Sequence, residues 1–272
     1  MPKPAKHKPT KALVTGASSG IGREFARRLA SMGVSVALVS DQPEALQETA
    51  RELGAAYPHL RFPTLCKDLS EHDCADALLN FCKKEDFNVD ILINNAGIFN
   101  FNAITDTAES RLNLYIDLHM RAVTMLTRAF ALDMARRGCH GYILNMSSMS
   151  CWMPFPGIGA YSATKAYIRV LSRAMNCELR GAGVSVTVAC PGGIATDLFG
   201  LSKKLQHFAV GIGVLATPEK FARRAVKKML RRRRQYVNGL LNRISIVAVS
   251  LLPTAFSAWA GEKLLSRYAT KH

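Results

Sequence analysis

The chain has 272 residues, 49% hydrophobic and 21% charged, enough apolar mass for one sizeable core and enough charge to cover its helices. Seven cysteines (Cys66, Cys74, Cys82, Cys139, Cys151, Cys177 and Cys190) are scattered, odd in number and lack a Cys-x-x-Cys, which argues against a zinc site or disulfide framework and for a reducing compartment. The net charge of +16 calls for anionic company, yet the basic run has no interleaved aromatics or reading motif, so specific nucleic-acid binding is set aside.

Residues 1–10 read as a basic tail, without the apolar h-region of a secretory signal. Apolar runs near 11–15, 34–39, 60–66, 89–93, 141–146, 184–189 and 235–238 then alternate with helix-like segments. That order predicts an α/β fold, a doubly wound parallel sheet of about seven strands in a three-layer Rossmann sandwich. One domain is expected over 11–240, with a substrate lid near 198–216 and an apolar helical extension over 241–272.

In the first unit, Ala12-Leu13-Val14 leads through Thr15-Gly16-Ala17-Ser18-Ser19-Gly20-Ile21-Gly22 into a helix expected from Ile21 to Met32. Glycines there let the backbone turn tightly and let a diphosphate approach the helix N-terminus, where bare N–H groups and the helix dipole favour negative charge. The second strand ends at Asp41, where an acidic group suits ribose hydroxyls and repels a 2′-phosphate. Asp41 therefore favours NAD(H), with NADP(H) as the alternative; Arg23 is a nearby cation, and Asp41 also suits a helix cap. Asp68-Leu69 reads as an N-cap, Asn94-Asn95-Ala96-Gly97 as a loop after a buried strand, and Pro191-Gly192-Gly193-Ile194-Ala195-Thr196 as a proline-glycine loop.

The catalytic reading rests on Tyr161 and Lys165, four residues apart, with Ser148 thirteen positions before Tyr161 at the polar end of the apolar run Ile143-Leu144-Asn145-Met146. On a helix, residues i and i+4 share a face, so a phenol and an ammonium enter one pocket. An adjacent cation is expected to lower a phenol's pKa by about 1–3 units. Such a phenol gives a proton to a carbonyl oxygen or takes one from an alcohol. As a lone spacing, Tyr-x-x-x-Lys is an ordinary helix pair; the glycine turn upstream and the strand end at Ser148 give it context.

Together these residues resemble the short-chain dehydrogenase/reductase family over roughly Lys11 to Thr196, with members such as 3-oxoacyl reductases and hydroxysteroid dehydrogenases in view. The resemblance implies a hydride-transferring enzyme in which Tyr161 is the acid/base, Lys165 also holds the ribose, and Ser148 bonds the substrate oxygen. It further implies that Gly16, Ser18, Ser19, Gly20, Ile21 and Gly22 cradle the nucleotide, that Asp68 and Leu69 flank adenine, that Asn95, Ala96 and Gly97 line the cleft, and that Pro191, Gly192, Ile194 and Thr196 meet the nicotinamide. One position departs: in Asp117-Leu118-His119, His119 stands where the family carries a catalytic asparagine. A histidine has a donor and an acceptor to replace it and can titrate near neutral pH, or it can be a satisfied core residue. A non-catalytic nucleotide-binding scaffold of the same fold is the alternative to an enzyme.

Trp152, Met153, Phe155 and Phe199 suggest walls for a bulky apolar substrate, a 3-oxoacyl chain, steroid or other lipid ketone, although such side chains also pack cores. The run from Arg223 to Arg234 and the uncharged stretch Ile244 to Ala260, too short and broken by Pro253 for a confident span, suggest either packing over the cleft and a partner subunit or contact with an anionic membrane surface. A cytoplasmic homo-oligomer is the expectation, with a peripheral place on the membrane's cytoplasmic face as the alternative, and no metal.

Overall fold

The computed structural model describes residues 9–153, 155–194 and 216–251. Seven strands form one sheet in the order β3-β2-β1-β4-β5-β6-β7: β1 (Lys11–Thr15), β2 (Ser35–Ser40), β3 (Thr64–Cys66), β4 (Ile91–Asn94), β5 (Tyr142–Met146), β6 (Ser185–Cys190) and β7 (Gln235–Val237). Every pairing is parallel. The expected doubly wound sheet is therefore what forms, and its strands are near-continuous apolar runs because helices cover both faces.

The helices are α1 (Gly20–Ala30), α2 (Pro43–Ala56), α3 (Cys74–Lys84), α4 (Glu109–Tyr115), α5 (Ala122–Arg136), α6 (Gly159–Glu178), α7 (Pro218–Leu230) and α8 (Leu240–Leu251). On one face of the sheet Phe25 and Leu29 of α1 pack with Phe221 and Met229 of α7; on the other, Leu78 of α3 packs with Phe130 and Met134 of α5. Strand order reverses between β1 and β4, and the crevice at the strands' carboxyl ends opens at that point, where such sheets bind ligands.

Three departures from the sequence reading have local causes. Strand β3 is only Thr64–Cys66, although Val36 and Leu38 donate to Arg61 O and Pro63 O; Pro63 has no N–H to return, so the ladder thins there. Helix α7 is capped by Thr217, whose Oγ1 accepts from Lys220 N at 3.2 Å, and it stops at Leu230. Arg231–Arg234 thus form an exposed connection, turned by Arg232 at φ +54° with its guanidinium 4.9 Å from the Tyr142 ring centre. Between α4 and α5 the chain makes one π turn, Ile116–Arg121, which carries His119.

Among the described residues no helix is long and apolar enough to cross a membrane. The expected lid over 198–216, apart from Ala216, and the extension beyond 251 lie outside the described residues.

Candidate active site

The glycine turn builds a cleft of about 380 Å3. Gly16 at φ +62° and Gly20 at φ +53° occupy the left-handed region that side chains disfavour. Gly22 is held by contact: a Cβ there would lie 1.9 Å from Gly16 O and 2.6 Å from Asn95 Nδ2. Ser19 makes no side-chain cap to α1, and Ser19, Gly20 and Ile21 line the cleft, so the start of the helix offers its N–H groups to an anion.

The sequence-expected residues Gly16, Ser18, Asp41, Asp68, Leu69, Asn95, Ala96 and Gly97 line the same cleft; Gly22 lies behind it. Thr15 Oγ1 accepts from both Asn95 N (2.9 Å) and Ala96 N (3.0 Å), and Asn95 Nδ2 returns a bond to Thr15 O (3.1 Å), locking the two crossing loops. A buried polar ladder braces the sheet beneath: Asn94 Nδ2 donates to Asn145 Oδ1 (2.8 Å), and Asn145 Nδ2 to Ser172 Oγ (3.0 Å). In this ladder Asn94 Oδ1 alone is left without a partner among the described residues, and the remaining bonds tie β4, β5 and α6 together beneath the site.

Asp41 is exposed at the end of β2, with Oδ1 accepting from Ser40 Oγ (3.3 Å), itself 2.9 Å from Ser18 Oγ. Asp68 Oδ1 accepts from Ser70 N (2.8 Å), so it caps the next turn while lining the cleft. The two cations nearest this end are engaged: Arg23 with Glu52, and Lys67 with Glu71 and with Asp73 at 2.8 Å. Lys67 lines the cleft and was not anticipated from the sequence; it immediately precedes Asp68.

Tyr161 and Lys165 lie in the first two turns of α6, on its buried face with Thr164 and Ile168. Lys165 Nζ is 5.5 Å from the Tyr161 ring centre and donates to Met146 O at 3.2 Å. Ser148, whose Oγ accepts from Ser150 N at 3.1 Å, sits close enough to the phenol to pull its pKa down. The three side chains therefore meet where β5 ends. The expected depression of the phenol is corrected: burial pushes Tyr161 up to about 12, against the pull of Ser148, and burial pushes Lys165 down to about 8. Both groups are enclosed, so loss of water disfavours both charged forms.

His119 is fully buried beside this cluster, its ring centre 5.9 Å from that of Tyr161. Nε2 accepts from Ile98 N (3.0 Å), and Nδ1 lies 3.0 Å from Thr164 Oγ1. Thr164 Oγ1 donates to Tyr161 O (2.8 Å), so Nδ1 carries the proton and the ring is neutral. Burial, then the charges of Lys165 and Arg111, holds its pKa well below the usual histidine value. The expectation of titration near neutral pH is thereby corrected: both nitrogens are occupied by protein groups. Thr164, three residues after Tyr161 and thus on its side of the helix, was the available signal for this bond.

Pro191, Gly192 and Ile194 follow β6 beside Met149, whose N donates to Pro191 O at 2.8 Å. Gly192 N donates to Asn238 Oδ1 (2.7 Å), and Asn242 of α8 packs so close that a Cβ at Gly192 would meet it at 2.2 Å. Thr196 and Phe199 lie outside the described residues.

Trp152, Met153 and Phe155 share a second cleft, about 460 Å3, with Gly159, Ser162, Ala163 and Ala166 of α6. Those helix positions follow i, i+3, i+4 and i+7 and lie on the side away from Tyr161 and Lys165. The structure thus separates this apolar wall from the phenol. The aromatics that do meet Tyr161 are Phe99, edge-on with centres 5.0 Å apart, and Tyr115 at 6.3 Å; the sequence reading missed both. Among the described residues no cluster of histidine, cysteine or carboxylate suits a metal ion.

A family model for short chain dehydrogenases matches residues 10–206. The probable oxidoreductase EphD of Mycobacterium tuberculosis strain H37Rv is 34% identical over 194 residues, 70% of this chain but 32% of that protein. The chain therefore spans about a third of the length of that relative. A short-chain type dehydrogenase/reductase of Picea abies is 30% identical over 214 residues, 76% of this chain and 78% of that protein. Among solved structures, a short-chain dehydrogenase from Sphingobium yanoikuyae in complex with NADPH superposes with TM-score 0.75 at 26% identity, covering 90% of this chain and 97% of that one. The bulky-bulky ketone specific alcohol dehydrogenase from Comamonas testosteroni gives 0.73 at 26% identity, over 90% and 96%. L-sorbose reductase from Gluconobacter frateurii, complexed with NADPH and L-sorbose, gives 0.74 at 27% identity, over 84% and 94%. The chain belongs to the short-chain dehydrogenase family, whose members are NAD(P)-dependent oxidoreductases of alcohol and carbonyl groups.

Proposed function

We propose that this protein is a reductase that moves hydride from a nicotinamide dinucleotide to the carbonyl of a bulky, mainly apolar substrate. The observation that carries the reading is the meeting of Tyr161, Lys165 and Ser148 at the end of β5, beside the glycine-turn cleft. The bound nucleotide supplies the hydride; the chain's residues manage the proton. A phenol pushed up to about 12 is protonated at neutral pH, so Tyr161 enters as proton donor to the carbonyl oxygen. Ser148 Oγ accepts from Ser150 N, and its hydroxyl hydrogen, which can face the phenol, can turn to that oxygen when substrate is bound. Lys165, held against Met146 O, stabilises the negative charge that grows on the phenol as the proton leaves.

The residues that would hold the nucleotide are Ser19, Gly20 and Ile21 at the diphosphate, Asp41 at the adenosine ribose, Asp68 and Leu69 at adenine, and Pro191, Gly192 and Ile194 toward nicotinamide. Asp41 in the cleft, with Arg23 and Lys67 each paired to carboxylates, supports NAD(H) over NADP(H). Phe99 and Tyr115 around the phenol support a bulky ketone over a polyol. The test is a comparison of NADH or NADPH oxidation with steroid, 3-oxoacyl and sugar ketones, using Tyr161→Phe as control. Turnover that vanishes in the variant while nucleotide still binds is the expected result; equal turnover by both proteins would contradict it.

A membrane-facing role is supported by a separate observation. On α8, Leu240, Leu241, Ile244 and Val247 are exposed within one arc, Ile246 packs inward, and Arg243 is exposed on the same helix. Such a face suits an anionic lipid surface, worth about 1 kcal/mol per close charge. Co-sedimentation with anionic but not neutral vesicles, reversed by salt, is the expected behaviour. Exposed Met125, Leu132 and Val170 on α5 and α6 support self-association, which light scattering tests.

A further inference from the structure

The chain leaving β5 runs alongside the end of β6: Ser147 N donates to Ala189 O and Met149 N to Pro191 O, both at 2.8 Å. In the short turn Met149–Trp152 that follows, Cys151 folds back onto β6 and packs on the cluster that contains Cys190, Val188 and Val237. That packing and the two backbone bonds set the turn that carries Cys151 against the strand end that carries Cys190. Cys190 is buried, whereas Cys151 is half-buried and lines the open cleft of about 460 Å3. Hydride transfer uses neither sulfur.

We propose that Cys151 and Cys190 are a modification site, a dithiol that hydrogen peroxide closes to a disulfide and thiols reopen. Interaction with Cys190, then the charge of Arg169, lowers the pKa of Cys151 against its burial, while Cys190 is raised. Arg169 is fixed there, 4.4 Å from the Trp152 ring centre and 3.1 Å from Gln235 Oε1. The Cys151 thiolate attacks one peroxide oxygen; the O–O bond breaks, hydroxide leaves and takes a proton from solvent, and Cys151 becomes a sulfenic acid. The Cys190 sulfur then attacks the Cys151 sulfur, the S–O bond breaks, and the departing hydroxide takes the Cys190 proton as water. Two thiols lose two electrons in all, and one peroxide becomes two waters. The bond would tie the turn after Ser148 to the strand end before Pro191, so closure is expected to slow turnover.

The test maps thiols on the full chain. Protein is treated with hydrogen peroxide, alkylated before and after reduction, and its peptides are weighed. A reducible Cys151–Cys190 peptide, formed ahead of oxidation at the exposed Cys66 and Cys177, is the expected product. In Cys190→Ser, Cys151 should stop at sulfenic or sulfinic acid; in Cys151→Ser, Cys190 should stay reduced. Cys151 still reduced at doses that oxidise Cys66, or bridged to another cysteine, would overturn the assignment. Should either variant misfold, the map of the unaltered protein decides alone. Because the map does not read turnover, its failure leaves the reductase reading intact, and an inactive protein with the cross-link sinks only that reading.

Discussion

His119 Nδ1 and Thr164 Oγ1 lie 3.0 Å apart, and through Thr164 the π turn is tied to the backbone of Tyr161 itself. His119 also receives the Ile98 N–H, so one imidazole holds both the floor of the nucleotide cleft and the start of the catalytic helix. The shorter asparagine side chain cannot span both partners, and a buried group left unbonded costs about 1–3 kcal/mol. His119→Asn is therefore expected to lower the unfolding free energy obtained from urea titration by that amount while keeping turnover at temperatures where it is folded. Unchanged stability would show that the two bonds are dispensable.

Gly22 is required by backbone, not by a flexible neighbour. An added Cβ meets Gly16 O at 1.9 Å, and neither chain can retreat because Asn95 Nδ2 pins the turn through bonds to Thr15 O and Gly16 O. Gly22→Ala is expected to cost about 1–3 kcal/mol and to abolish nucleotide binding measured by fluorescence quenching. Binding within a few-fold of the unaltered protein would place the nucleotide elsewhere.

The sheet, its parallel order and the glycine turn were legible because each rests on a local pattern, an apolar run or a glycine at a fixed offset. Tyr161, Lys165 and Ser148 were legible by spacing, since four residues fix one helix face. What spacing does not carry is enclosure. The upward shift of Tyr161 and the downward shift of Lys165 come from burial by distant elements, and Phe99 reaches the phenol from the loop after β4, which no period announces. Trp152 and Phe155 show the complementary gap: closeness in sequence to Ser148 does not say on which side of α6 a side chain settles.

In the proposed site Asp41 is expected to set the cofactor choice. Its carboxylate stands in the cleft and would oppose a 2′-phosphate, while Arg23 and Lys67 are already paired. Asp41→Arg removes the repulsion and adds a fork of donors, so the ratio of NADH to NADPH affinity should move toward NADPH by at least about tenfold, or roughly 1.4 kcal/mol. Parallel titrations of the two proteins with both nucleotides check this. An unmoved ratio would show that Asp41 does not meet the adenosine ribose.

Lys165 is expected to weaken the nucleotide-free fold at neutral pH. Its pKa falls to about 8 from an ordinary value of 10.5, and each unit is 1.36 kcal/mol, so keeping the buried ammonium charged costs about 3 kcal/mol. Below pH 8 the native and unfolded chains are both protonated here and the whole penalty applies. As pH rises from 8 toward 10.5 only the unfolded chain holds the proton, so the penalty shrinks, to about 1 kcal/mol near pH 10. Lys165→Met should therefore be more stable than the unaltered protein near pH 7, lose most of that advantage near pH 10, and be unable to reduce a ketone at either pH. Urea unfolding of both proteins at the two pH values checks the sign. A variant less stable than its parent at neutral pH would mean that the Met146 O bond outweighs the loss of water around the ammonium.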